Sequence, residues 1–426
     1  MELYINPERK EWHKLCQRNN SDDSDIYKSV KHIIDTVREQ GDQALIHYAK
    51  QFDGIESPNI TVDCEEIKNA GNKVSEHVKK AIDIAIANIS TFHRAQLPKP
   101  VEVITMPGVR CVQRALPIER VGLYIPGGRA PLFSTVLMLA LPAKIAGCKS
   151  ITLCTPRSAD YGIAPEILYA ATMCGVNEIY AVGGAQAIAA MAYGTSTIMP
   201  VNKIFGPGNR YVTKAKQIVT DQVAIDMPAG PSEVLVLADN TADPLYVAAD
   251  LLSQAEHGPD SQAMLVCHST DFAKKVFENI DYLRNKLSRN DIITSSLAQS
   301  RTIIFESIGT ATEFVNIYAP EHLIIATDNP WAVSERINAA GSIFIGPYSP
   351  ESAGDYASGT NHTLPTAGWA VTYSGVNLDS FMHKITYQEL TKDGITALAP
   401  TIIAMAEAEG LEAHAIAAKI RTEKKH

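Results

Sequence analysis

The chain has 426 residues, of which 46% are hydrophobic, and a formal net charge of −9 at pH 7, which supplies apolar material for more than one core. An acidic balance without any long Lys/Arg block argues against nucleic acid or an anionic membrane as the main partner and leaves a small ligand. The start, MELYINPERKEW, has charges where a signal peptide needs an apolar stretch, so the cytoplasm is the expected location.

From Met1 to about Leu97 the pattern reads as mostly helical, with charged faces in IYKSVKHIIDTVREQGDQALIHYAKQFDG and VKKAIDIAIANISTFHRAQL. Between Val101 and Gly128 the short segments VEVITM, VRCVQRALP and ERVGLYIPGG predict strands separated by Pro and Gly turns. The most apolar run, Ala130 to Ala143, is interrupted by Ser134, Thr135 and Pro142. It is too short to span a bilayer and predicts a buried helix. From Tyr124 to Gly230, SITLCTP, EIYAVGG, KIFGPG and VAIDMPAG alternate with APEILYAATMCG and AQAIAAMAYG, the pattern of βαβ units around a parallel sheet.

A second α/β series follows. Its strands are EVLVLAD, QAMLVCHS, TIIFES, HLIIAT and SIFIG, and its helices are DPLYVAADLLSQAEH, DFAKKVFENIDYLRNKL, ATEFVNIYAP and PWAVSERINAA. The tail from about Leu378 is expected to be helical again, its Ala-rich pattern suiting an arm that packs on another subunit. The fold class is therefore α/β: two lobes with parallel sheets, a cleft between them, and helical N-terminal and C-terminal segments. The expected division is 1–123 continued by 232–377 as one lobe, 124–231 as the second, and 378–426 as the arm. Seven cysteines, at 16, 64, 111, 148, 154, 174 and 267, form no CxxC pair and are odd in number, as for reduced core thiols.

Chemistry is concentrated in a few stretches. In LLSQAEHGPDSQ, Gln254 and His257 are three residues apart at a helix end, spaced to share a face. They are either metal ligands or ordinary solvated or capping groups. Three loops after strands, YIPGG with Tyr124, VGGAQ with Gln186 and FGPGN with Asn209, offer glycines beside polar handles. They are either a phosphate cradle or plain tight turns, since the dinucleotide fingerprint fails at Tyr211.

In YAPEHLII, Glu321 and His322 stand side by side before a strand, either an acid–base pair or a surface dipeptide. PESAGDYASGTNH reads as a loop, carrying Asp355 and His362, that permits close approach to a ligand or forms an Asx-type turn. Taken together, Gln254, His257, Asp355 and His414 would offer zinc one carboxylate, two imidazoles and an amide. Such a set leaves the ion electrophilic, although spacing alone does not bring His414 to the others.

The strings LYIPGGRAPLFSTVLMLA, KIFGPGN, IDMPAGPSEVL, SQAEHGPDSQ, PEHLII and ESAGDYASGTNH, long and in this order, resemble those of histidinol dehydrogenases over nearly the whole chain. The resemblance implies incomplete Rossmann-like lobes and a zinc enzyme of histidine biosynthesis. Such an enzyme oxidises L-histidinol to L-histidine with NAD⁺, in two steps through L-histidinaldehyde. It implies Gln254, His257, Asp355 and His414 as zinc ligands and Glu321 and His322 as the catalytic pair. Ser232, His362 and Glu409 would contact substrate together with the zinc ligands and His322, and Tyr124, Gln186 and Asn209 would contact NAD. It also implies a homodimer in which the partner supplies the arm with Glu409 and His414.

Two rival chemistries remain at this stage. A zinc hydrolase would use Glu321 as base on metal-bound water and would need no nucleotide. A thiohemiacetal route would use Cys148 or Cys154, but both have apolar neighbours and no adjacent base, so structural thiols are expected.

Overall fold

EVLVLA is apolar at almost every position because both its faces are covered. Glu233–Ala238 lies inside a six-stranded sheet, in the order Glu2–Ile5, Arg301–Ile304, Gln262–Cys267, Glu233–Ala238, His322–Ala326, Ser342–Ile345. Every pairing in it is parallel. Val234, Leu235, Val236 and Leu237 are all fully buried. Each such side chain contributes about 1.5–3 kcal/mol relative to exposure, which anchors this doubly paired strand firmly in the core. The computed structural model describes residues 1–18, 24–56, 58–127, 131–176, 178–228 and 230–423. Gly128 and Ala130, at the edges of the YIPGG turn and the apolar run, lie outside the described residues.

A second parallel sheet holds Glu178–Ala181, Ser150–Thr155, Arg120–Tyr124, Lys203–Phe205 and Ala224–Ile225 in that order. Its earliest strand is central and the next two stack outward on one side, which is half of a doubly wound sheet. The expected boundary at 123/124 falls inside the strand Arg120–Tyr124. The helix Phe133–Ala146 packs on this sheet and is buried on nearly every side, as its all-round apolar sequence requires.

Pro142 sits within that helix and removes the N–H that would have bonded the Met138 carbonyl. Asn361, far along the chain, donates its side-chain N–H to Met138 O at 2.6 Å instead. Two turns of sequence thus tie the lobes together, because Asn361 follows the last strand of the six-stranded sheet.

Several expectations are corrected. The tail is not helical from its start: Met382–Leu390 is a strand, antiparallel to Val109–Pro117 over nine register pairs, in a three-stranded sheet completed by Val101–Met106. The N-terminal segment also opens on a strand, Glu2–Ile5, parallel to Arg301–Ile304. Four residues carry no resolvable period, and their partner is about three hundred positions away. Asn290–Ala298 adds a helix that the pattern did not separate from its neighbour, while in PWAVSERINAA only Pro330–Ser334 is helical. ESAGDY is a short helix, Glu351–Tyr356, rather than a loop. Among the described residues no helix is long and apolar enough to cross a membrane.

Candidate active site and metal centre

His322 begins the strand next to Glu233–Ala238 and Glu321 immediately precedes it, so both stand at the amino edge of the six-stranded sheet. Both are buried. The Glu321 carboxylate accepts the Glu233 backbone N–H at 2.8 Å, and His322 Nδ1 lies 3.2 Å from the Glu233 carbonyl. The buried central strand therefore holds the pair through its own backbone. His322 Nδ1 is also 3.6 Å from Glu321 Oε2 and 3.6 Å from Glu351 Oε1, and its Nε2 is 3.5 Å from Asp355 Oδ1.

Charge follows from this crowding. Burial alone would lower the basicity of His322, but the carboxylates of Glu351, Glu321 and Asp355 outweigh it and push its pKa up to about 10. Burial raises Glu321 to about 8, with the His322 charge opposing, and raises Glu351 to about 8 in the same way. Asp355 is held below the usual carboxylate value: burial would raise it, but the His322 imidazole 3.5 Å away and its charge win. The surface-dipeptide reading of Glu321 and His322 is excluded by their burial.

Gln254 is in the last turn of the helix Pro244–Ala255, and His257 lies just past its end, donating its backbone N–H to the Gln254 carbonyl at 3.3 Å. His257 keeps one side open to solvent. The packed atoms on its other side lower its basicity and favour the neutral imidazole a metal needs. Ligand atoms of His257, Glu351 and Asp355 all lie within 4.8 Å of one another. Both polar atoms of the Gln254 amide, His322 Nε2 and Glu351 Oε2 are buried without a hydrogen-bond partner among the described residues. Buried donors and acceptors are seldom left this way, so the donor set fits a cation among these residues.

Glu351 escaped sequence reasoning. The available signal was its i, i+4 spacing to Asp355 in ESAGD, which puts two carboxylates on one helix face. The other expected residues divide. Ser232 immediately precedes the central strand, at the same amino edge. His362 is oriented from both ring nitrogens, Nδ1 at 2.9 Å from the Asp355 carbonyl and Nε2 at 3.2 Å from Thr135 Oγ1, and burial lowers its pKa. Glu409 and His414 are exposed, on the hairpin formed by the helices Lys392–Ala408 and Glu412–Lys419. Within the single chain that hairpin packs mainly on itself and on Met382–Leu390, and it brings neither residue to the buried cluster.

The second sheet offers a different site at the carboxyl ends of its strands. Tyr124, Gln186 and Asn209 all line one cavity of about 1240 Å³. Tyr124 ends the first strand, and its hydroxyl accepts the Gly184 N–H at 3.1 Å. Asn209 caps the helix Arg210–Ile218, its Oδ1 accepting from Tyr211 and Val212 at 3.0 and 3.1 Å, which leaves its amide N–H for a ligand. Gly206, with φ of 123°, passes so close to the Tyr124 carbonyl that any side chain would collide with it.

A family model described as histidinol dehydrogenase matches residues 16–422. A histidinol dehydrogenase of Bacteroides thetaiotaomicron is 52% identical over 422 residues, 99% of each chain. One of Vibrio parahaemolyticus is 54% identical over 404 residues, 94% of this chain and 93% of that one. The chain belongs to the histidinol dehydrogenase family. The crystal structure of histidinol dehydrogenase from Elizabethkingia anophelis superposes with a TM-score of 0.96 at 51% identity, covering 99% of this chain and 98% of that one. The resemblance carried by SQAEHGPDSQ and PEHLII is thus borne out, and the hydrolase alternative finds no support among these relatives. Cys154 is fully buried and Cys148 half-buried, and burial pushes their thiols up to about 12 and about 11. Both are therefore held as inert thiols rather than nucleophiles.

Proposed function

We propose that the protein oxidises L-histidinol to L-histidine through L-histidinaldehyde, with two NAD⁺ reduced in succession. The observation that carries this reading is the buried Glu321–His322 pair beside a cluster of donors that lack partners among the described residues. Gln254, His257 and Asp355 would hold zinc, with Glu351 adjacent to them and His414 of a second subunit completing the set. Bound there, zinc would hold the substrate's imidazole and amino nitrogens and offset the carboxylate charge around His322.

The protein residues divide the work. His322 takes the hydroxyl proton of the alcohol as hydride leaves for the nicotinamide. The aldehyde then needs water before a second hydride can leave. Glu321, made more basic than an ordinary carboxylate by burial, takes a proton from that water, and His322, its first proton released to solvent between the two oxidations, takes one from the diol. Ser232, His362 and Glu409 would hold the substrate. NAD would occupy the cavity of Tyr124, Gln186 and Asn209, at strand ends where parallel sheets bind nucleotides. The arm supports the dimer reading, because it exposes Met405, Leu411, Ile416 and Ile420 on the hairpin that carries Glu409 and His414.

The test is the amount of NADH formed per L-histidinol consumed under excess NAD⁺, before and after chelation. Two per substrate, abolished by the chelator and restored by zinc, is the expected result. One per substrate would remove the water step assigned to Glu321, and none would overturn the reading.

A further inference from the structure

In doubly wound sheets the carboxyl end of the second strand reads the adenosine ribose: an acidic residue there binds the 2′-hydroxyl, and an arginine there accepts a 2′-phosphate. The second strand here is Ser150–Thr155, and two residues past its end stands Arg157, on the wall of the cavity that holds Tyr124, Gln186 and Asn209. By position alone this arginine would select a 2′-phosphorylated dinucleotide. It is not free to do so. Glu66, on the helix Cys64–Ala70, accepts from Arg157 Nη2 at 2.7 Å, and both side chains are mostly buried, 23% and 29% exposed. One end of the guanidinium fork is spent on that carboxylate, while its Nε–H is buried with no partner among the described residues. A second acid, Asp53, lines the same cavity from the end of the helix Asp42–Asp53.

We propose that Glu66 determines the dinucleotide specificity of this cavity: by neutralising Arg157 it leaves a wall, with Asp53, that accepts a 2′-hydroxyl and rejects a 2′-phosphate. This rests on the placement of NAD given above. A 2′-phosphate carries close to two negative charges, and a paired arginine offers no net positive charge to meet them. Asp53, on the same wall, can accept from a ribose hydroxyl, which needs no positive charge beside it. Specificity is thus set from outside the sheet, by the N-terminal helices that close over the cavity. This accounts for an arginine at the ribose position of an NAD site.

The experiment compares Glu66→Gln, Arg157→Gln and the double variant with wild type, by kcat/KM for NADP⁺ against NAD⁺ and by calorimetric titration of AMP and adenosine 2′,5′-bisphosphate. Glu66→Gln is expected to raise the NADP⁺ to NAD⁺ ratio, and the affinity for the bisphosphate, by about tenfold, one freed charge-assisted contact. The double variant is expected to lose that gain. An unchanged ratio in Glu66→Gln overturns the proposal, and so does a gain that persists without Arg157. If Glu66→Gln does not fold, Arg157→Gln still decides, since the Glu66 carboxylate left unpaired behind the cavity wall should lower bisphosphate affinity relative to AMP. No such change would overturn the proposal. Wild type that binds AMP while the variants show no shift refutes this inference alone, whereas wild type that binds neither AMP nor NAD⁺ refutes the cofactor placement with it.

Discussion

Replacing Asn361 by Ala removes a bond whose need is set by a proline far away in sequence. The carbonyl of the fully buried Met138 would lose the 2.6 Å donor that stands in for the N–H missing at Pro142. A buried carbonyl left unsatisfied costs about 1–3 kcal/mol, and the lost bond from Thr363 N–H to Asn361 Oδ1 adds about 1, so Asn361→Ala should cost about 2–4 kcal/mol. Pro142→Ala restores a backbone donor to the same carbonyl. In the double variant it should therefore recover about 1–2 kcal/mol that it does not contribute in the wild type. Urea unfolding of the four proteins gives the coupling energy directly. His362, the next residue, loses its fixed seat against Thr135, so KM for histidinol should rise more than kcat falls in Asn361→Ala. Additivity within about 0.5 kcal/mol would refute the replacement argument, whatever the size of the single effects.

Glu321→Gln and His322→Ala should each lower kcat by about 10²–10⁴ with zinc content unchanged, and a loss under about fivefold would remove them from the proton steps. Gln254→Ala and Glu351→Gln should each weaken zinc binding by about tenfold or more in a competitive chelator titration, and unchanged affinity would separate that residue from the metal. Arg18 chelates the buried Glu233 carboxylate at 3.0 and 2.7 Å. Arg18→Ala should therefore cost about 3–5 kcal/mol while Arg18→Met with Glu233→Gln costs far less, and equal losses would contradict an unpaired buried charge as the cause.

Burial raises the Asp53 carboxyl to about 6, above its unfolded value, so the native state holds that proton more tightly. The stability tied to it is complete below about pH 4 and is lost as pH rises through about 6. Relative to Asp53→Asn, the wild type should lose about 1–2 kcal/mol across that interval, allowing for solvent on its open side, and a flat difference would refute the assignment.

The βαβ alternation was legible because a strand buried on both faces must be apolar throughout, as in EVLVLA and QAMLVC, whatever it packs against. The candidate chemistry of QAEH, PEH and AGD was legible as residue types at short spacing. The strands Glu2–Ile5 and Met382–Leu390 were not, because their stability comes from partners about three hundred and two hundred and seventy positions away, and a short edge strand has no local signature. Glu351 and Glu66 were missed for a related reason: a single Glu among 47 acidic residues gains meaning only from what it faces.

The sequence by itself determined which segments could be strand or helix and which side chains could carry protons or bind a metal, since those are properties of residue type and spacing. Only the tertiary structure decided that Glu321, His322, Glu351 and Asp355 share one buried space, and that Glu66 occupies Arg157. Charge, burial and hydrogen bonding depend on distances across the fold, and a linear spacing does not contain them.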